Sequence, residues 1–106
     1  MTFSIKKGDT SPALRATLRY DDCTTINLTG ASARFHMRQT GSASVLIDAA
    51  AVVVSVAGIV EYRWTAPNTA TVGAYEGEFE ITYSDGKIET FPSDGFIAIE
   101  IVDSIA

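Results

Sequence analysis

The chain holds one cysteine, Cys23, and one histidine, His36, among its 106 residues. A lone cysteine excludes an intrachain disulfide, and with no histidine near it in sequence Cys23 reads as an inert reduced thiol. One imidazole and scattered acids fall short of zinc spacing and of a calcium-loop pattern, so no metal and no cofactor is expected. Cations are scarce as well. The 8 Lys and Arg stand against 13 Asp and Glu, for a net charge of −5, and no segment is basic enough to track a phosphate backbone. Nucleic acid is therefore not an expected partner. The longest apolar stretch, Ala49 to Val54, is far below the roughly 18 residues that a membrane-spanning helix needs, and no membrane role is expected. Met1 to Asp9 has no cationic head followed by an apolar run, so the chain is expected to be made, and to stay, in the cytoplasm.

Catalytic patterns are missing too. There is no Gly-x-Ser-x-Gly elbow and no Gly-x-Gly-x-x-Gly phosphate loop. The single candidate base, His36, stands between Arg34 and Arg38, two charges that disfavour its protonated form. No catalytic residue and no enzyme activity are expected. Asp21-Asp22 and Asp85-Gly86 are the best remaining hints of calcium, and both read first as turn-forming acids.

What the chain has in abundance is alternation. Hydrophobic residues are 46% and charged residues 20%, the composition of a folded domain, and the length suits one domain over residues 1–106. Period-two segments broken about every ten residues by Gly, Pro, Asn or Asp predict an all-β fold, a sandwich or a barrel; of the two, a sandwich of two antiparallel sheets is expected. The expected strands are Phe3 to Lys6, Leu14 to Tyr20, Thr25 to Leu28, Ser32 to Arg38, Val45 to Ile47, Ala51 to Val56, Ile59 to Trp64, Tyr75 to Tyr83, Lys87 to Phe91 and Phe96 to Val102. Pro67 to Thr71 reads as a loop or a single helical turn. Asp85-Gly86 predicts a tight primed hairpin turn, Ala57-Gly58 a weaker one, and Gly8-Asp9-Thr10 with Pro12 a turn in which Asp9 or Thr10 accepts backbone N–H groups.

The clearest strand is Tyr75 to Tyr83. Tyr75, Phe79, Ile81 and Tyr83 share one face with Gly77, and Glu76, Glu78, Glu80 and Thr82 share the other. Its entry, Gly73-x-Tyr75, resembles the tyrosine corner of immunoglobulin-like sandwiches, which implies a phenol bonded back to upstream backbone. Trp64 is the expected core anchor, with Tyr75 and Phe79 beside it, and Glu61 and Arg63 are expected to point outward.

Two segments stand out as candidate protein interfaces. Ala33, Phe35 and Met37 take the core side of their strand, leaving Arg34, His36 and Arg38 together as the one cationic stripe. In Ile47 to Ala57 the alternation fails and both faces are apolar, so the row of Val52, Val54 and Val56 must be covered by a loop or by another molecule. A carbohydrate-binding or host-adhesion module is the alternative; it needs exposed aromatic rings, and Tyr20 is the one ring expected outside.

The series Phe3-x-Ile5-Lys6-x-Gly8-Asp9-Thr10-x-Pro12-x-Leu14, then Leu28-Thr29-Gly30-Ala31, Phe35-x-Met37-Arg38, Gly58-x-Val60-x-Tyr62-x-Trp64, Gly73-x-Tyr75 and Phe91-Pro92, resembles the N-terminal domain of phage baseplate upper proteins nearly end to end. The resemblance implies an immunoglobulin-like domain in a virion that docks onto other phage structural proteins, in a symmetric homo-oligomer or lattice, without catalysis. In those proteins a helical stalk and receptor-binding parts follow, and here the sequence stops, so tail, baseplate, head-tail and decoration roles stay open.

Overall fold

Period-two patterning produces a strand wherever one side chain in two can reach the core. In the computed structural model, which describes residues 2–20 and 22–105, the strands are β1 (Thr2–Lys6), β2 (Leu14–Thr17), β3 (Ser32–Gln39), β4 (Val45–Ser55), β5 (Ile59–Tyr62), β6 (Gly73–Thr82), β7 (Ile88–Phe91) and β8 (Ile97–Val102). The fold is all-β, as expected. The segment after Trp64 is a 3-10 turn over Ala66–Thr69. Asn68 holds it in place: its Oδ1 accepts the Thr65 N–H at 2.9 Å and the Tyr62 phenol at 2.7 Å. No helix among the described residues is long and apolar enough to cross a membrane.

The strands follow one hydrogen-bonded path, β1-β8-β6-β3-β4-β5-β2, with β7 also on β6, and the sheet curls nearly into a barrel. It is mixed rather than purely antiparallel, because β1 runs parallel to β8 from Thr2↔Ala98 to Lys6↔Val102. The expected break at Asp48 is absent. Ile47, Ala49, Ala51 and Val53 all face or pack against the core, so the inward row is uninterrupted while Asp48 points out opposite His36. The two expected strands are thus one β4, which pairs with β3 through Ala51 and with β5 from Val52 onward. One strand thereby belongs to both halves of the sheet.

The stretch from Leu14 to Leu28 is less regular than its alternation predicts. β2 stops at Thr17, and Thr25 to Leu28 forms no strand: it has an isolated bridge from Thr25 to Arg19 and single backbone bonds from the Ile26 N–H to Leu18 and from the Leu28 N–H to Val56. Local side-chain bonds compete with the ladder there: Asp22 accepts the Thr24 N–H at 3.0 Å, and Asn27 accepts the Thr29 N–H at 3.0 Å. Asp22 therefore serves a turn, as Asp85 does through the Lys87 N–H at 3.0 Å; Asp21 lies outside the described residues. The Asp85-Gly86 hairpin closes with the Tyr83 N–H on the Lys87 carbonyl at 2.8 Å and Gly86 at φ 87°. That is a three-residue loop with one left-handed residue rather than a two-residue primed turn, since Gly86 alone of Ser84, Asp85 and Gly86 has positive φ. In the turn after β1, the Asp9 N–H bonds to the Lys6 carbonyl at 3.0 Å. The acceptor Asp9 offers there is its own carbonyl, taken by the fully buried Thr69 hydroxyl at 2.9 Å.

Core and tyrosine corner follow the patterning. Ala33, Phe35, Met37, Val60, Tyr62, Trp64, Tyr75, Phe79 and Ile81 are all buried. The Tyr75 phenol donates to the Thr71 carbonyl at 2.7 Å, the back-bond its motif implied. The centre, however, is Phe35 rather than Trp64. Phe35 is fully buried, stacks on Tyr62 at 4.6 Å and meets Phe79 at 5.2 Å and Trp64 at 5.8 Å. Trp64 has Phe3, Phe35 and Tyr62 as ring partners rather than Tyr75 and Phe79, and its indole N–H is buried with no acceptor among the described residues.

Candidate functional site

On the outward face of β3, side chains two residues apart stand in a row, and the neighbouring strands set what stands opposite them. Arg34, His36 and Arg38 do form one stripe, and they face Glu80, Glu78 and Glu76 of β6. The Arg38 Nε reaches Glu76 at 3.1 Å, and His36 Nδ1 lies 3.0 Å from Glu78. From the other side, Asp48 of β4 accepts from Arg34 Nε at 2.8 Å and lies 3.4 Å from His36 Nε2. The stripe is therefore no free cationic surface but the middle row of a charge ladder across three strands. Glu76 and Glu78 are half-buried parts of it. Arg34 holds the Asp48 carboxyl below the usual carboxylate range.

At one end the ladder dips into a groove of about 230 Å³ between β4, β3 and β6, bounded by Val45 and Phe96. Val45 is 62% exposed and Phe96 46%. The Arg38 guanidinium sits 4.7 Å from the centre of the Phe96 ring, a distance at which the ring face attracts a cation. Neither Val45 nor Phe96 was flagged by sequence. Both follow residues that break the strand pattern, and only the chain's folding brings them beside the stripe.

The valine row lies further along β4. Val52 stands opposite Glu61 of β5 and is half-buried, whereas Val54 sits at a register shift and Val56 in the following turn, both exposed. Among the described residues no loop buries Val54 or Val56, which keep 39% and 55% of their surface exposed. Glu61 corrects a second expectation. It lies on the outward face yet is only 7% exposed, because Arg15 of β2 and Arg63 close over it. Arg63 Nε donates at 2.7 Å and Arg15 Nη2 at 2.9 Å. Arg63 first and Arg15 second hold its carboxyl below the ordinary value of 4.5.

The sign of that shift makes a prediction. A depressed folded-state value contributes stability that is fully present above 4.5 and is lost as pH falls through the depressed value. Glu61→Gln is expected to lower the melting temperature at neutral pH, and the gap to the parent should close as pH falls below 4.5 and through the depressed value. Thermal melts of both proteins across that range check it. A gap independent of pH would assign the loss to packing instead.

Among the remaining candidates, Tyr20 is 48% exposed as expected, but it has no ring partner to make a platform with among the described contacts. Cys23 is exposed in a turn at φ 69°. Burial, with help from Glu89, pushes the Tyr83 phenol well above its usual range and keeps it a neutral donor to that carboxylate at 2.8 Å.

The groove and the ladder lie on the outward face of β3, and Val54 and Val56 stand exposed further along the chain, at and just after the end of β4. A search of curated proteins finds no match. The family model described as the BppU N-terminal domain matches residues 2–105. That match runs from β1 past β8 and takes in every strand described, so the chain belongs to the BppU N-terminal domain family, the family of phage baseplate upper proteins.

Proposed function

We propose that the domain is a docking module of the virion: it holds a place among other phage structural proteins through the β4 valine row and the ladder face of β3, and catalyses nothing. Its membership in a baseplate structural family supports the setting. The observation that carries the reading is the uncovered apolar row, with Val54 at 39% exposure on a strand built into both halves of the sheet and Val56 at 55% in the turn that follows it. Apolar side chains at an open strand invite association, and a protein that keeps them needs an occupant for them. A repeated place in a symmetric homo-oligomer or lattice would supply that occupant many times over. His36 supports the absence of a reaction, since both of its ring nitrogens face carboxylates rather than a nucleophile.

The experiment is replacement of Val52 and Val54 by aspartate. Two charges on the outward row are expected to abolish incorporation into particles while the isolated domain keeps its parental circular dichroism spectrum and melting temperature within a few degrees. Incorporation at the parental level would sink the reading.

A further inference from the structure

The charge ladder bears on what kind of partner its face receives. We infer that the groove beside His36 takes a basic side chain, an arginine of a neighbouring protein, so that the partner of this face is cationic rather than acidic; the inference rests on the docking reading above. Three observations carry it. Charge is the first. Of the groups lining the groove, Asp48, Glu76 and Glu78 are carboxylates and Arg38 is the one guanidinium, so the stripe that looks basic in sequence is outweighed by its neighbours. Arg34, just outside the groove, offsets Asp48 in part, and Arg38 is matched by Glu76. Glu78 has only the imidazole.

Hydrogen-bond capacity is the second observation. His36 stands between two carboxylates, Nδ1 at 3.0 Å from Glu78 and Nε2 at 3.4 Å from Asp48. Even with a proton on both ring nitrogens an imidazole supplies one N–H to each carboxylate, and each carboxylate has two oxygens that accept. Acceptor capacity exceeds the donors that His36 can supply. A guanidinium brings several donors in a planar fork that matches carboxylates.

Shape is the third. A volume of about 230 Å³ is below the roughly 300 Å³ at which pockets for whole small molecules begin, and suits a single side chain. Val45, Ala43 and Phe96 give the groove an apolar wall next to its acids, the pairing that an aliphatic stem with a charged head requires. Phe96 already receives one guanidinium, that of Arg38.

The test uses the isolated protein, without particles, and a capped tetra-arginine peptide as the probe, with tetra-glutamate as its counterpart. Titrations followed by backbone amide NMR are expected to show saturable shifts at His36, Val45, Glu78 and Phe96 with tetra-arginine and none with tetra-glutamate. Glu78→Gln combined with Asp48→Asn should weaken binding about tenfold or more, the scale of a lost charge-assisted bond. Asp9→Asn, an exposed acid in the turn after β1, at the opposite end of β8 from Phe96, should leave it unchanged. Val45→Lys, at an exposed position, should weaken binding as well. Absence of saturable groove shifts, equal weakening by Asp9→Asn, or a preference for tetra-glutamate would each overturn the inference. Because no particle is involved, those results leave the valine-row experiment to decide the docking reading separately.

Discussion

Phe35→Ala is expected to leave the domain largely unfolded at physiological temperature. Phe35 is fully buried and is the ring that the others share: Tyr62 stacks on it, Phe79 leans against it, and Trp64 presents an edge. Removing a buried aromatic costs about 3 to 5 kcal/mol through lost transfer energy and the cavity left behind. A domain of this length has about 5 to 15 kcal/mol in total, and a small core sits toward the lower end. Collapse of the hole is hindered because its lining comes from β3, β5 and β6, whose backbones are each fixed by pairing with neighbouring strands. Urea denaturation of Phe35→Ala and Phe35→Leu checks this, with the leucine variant retaining most of the stability. A loss below about 2 kcal/mol for alanine would show that the aromatic cluster is not the centre of the core.

Gly58→Ala is expected to cost about 3 kcal/mol or more, although it adds a single methyl group. Gly58 ends the β4–β5 turn at φ 96°, a conformation that L side chains rarely adopt and that costs about 1 to 2 kcal/mol by itself. The added Cβ would also lie 2.9 Å from the Leu18 carbonyl oxygen and 3.1 Å from that of Ile26. Both obstacles are backbone, so neither can swing aside. Leu18 further donates its N–H to the Gly58 carbonyl at 2.7 Å, so displacing the turn breaks the contact that fixes the irregular Leu18 to Leu28 segment. Gly41→Ala is the control. Gly41 has φ 84° and no atom near its would-be Cβ, so it should show the backbone cost alone. Equal losses for the two variants, measured by the same denaturation, would remove close approach as the cause.

Much of this architecture was legible in the residues because it depends on neighbours in sequence. The alternation of β6 assigns Tyr75, Phe79 and Ile81 inward, and Gly73-x-Tyr75 anticipates a bond that spans only four residues. What was not legible depends on partners far along the chain. Glu61 looks like an ordinary outward glutamate in its own strand; it is buried because Arg15, 46 residues away, lies opposite it. The Arg34, His36 and Arg38 stripe looks cationic for the same reason, since the carboxylate matching His36 is 42 residues on. Asp48 suggests a break to any local reading, yet an outward aspartate between Arg34 and His36 is a good strand residue. Trp64 draws attention by size, whereas centrality goes to the ring whose strand lies between the others, and that is Phe35.

The parallel pairing of β1 with β8 has a mechanical consequence. The two strands start at the same end of the pair and finish at the other. Tension that enters at the beginning of β1 and leaves at the end of β8 therefore slides one strand along the other. Every pair from Thr2↔Ala98 to Lys6↔Val102 is strained at once, and the buried Ile5 side chain must be dragged through the core before any of them parts. Resistance to such a pull is set by the height of an unfolding barrier rather than by equilibrium stability. Were the strands antiparallel, the same tension would peel them open one bond at a time.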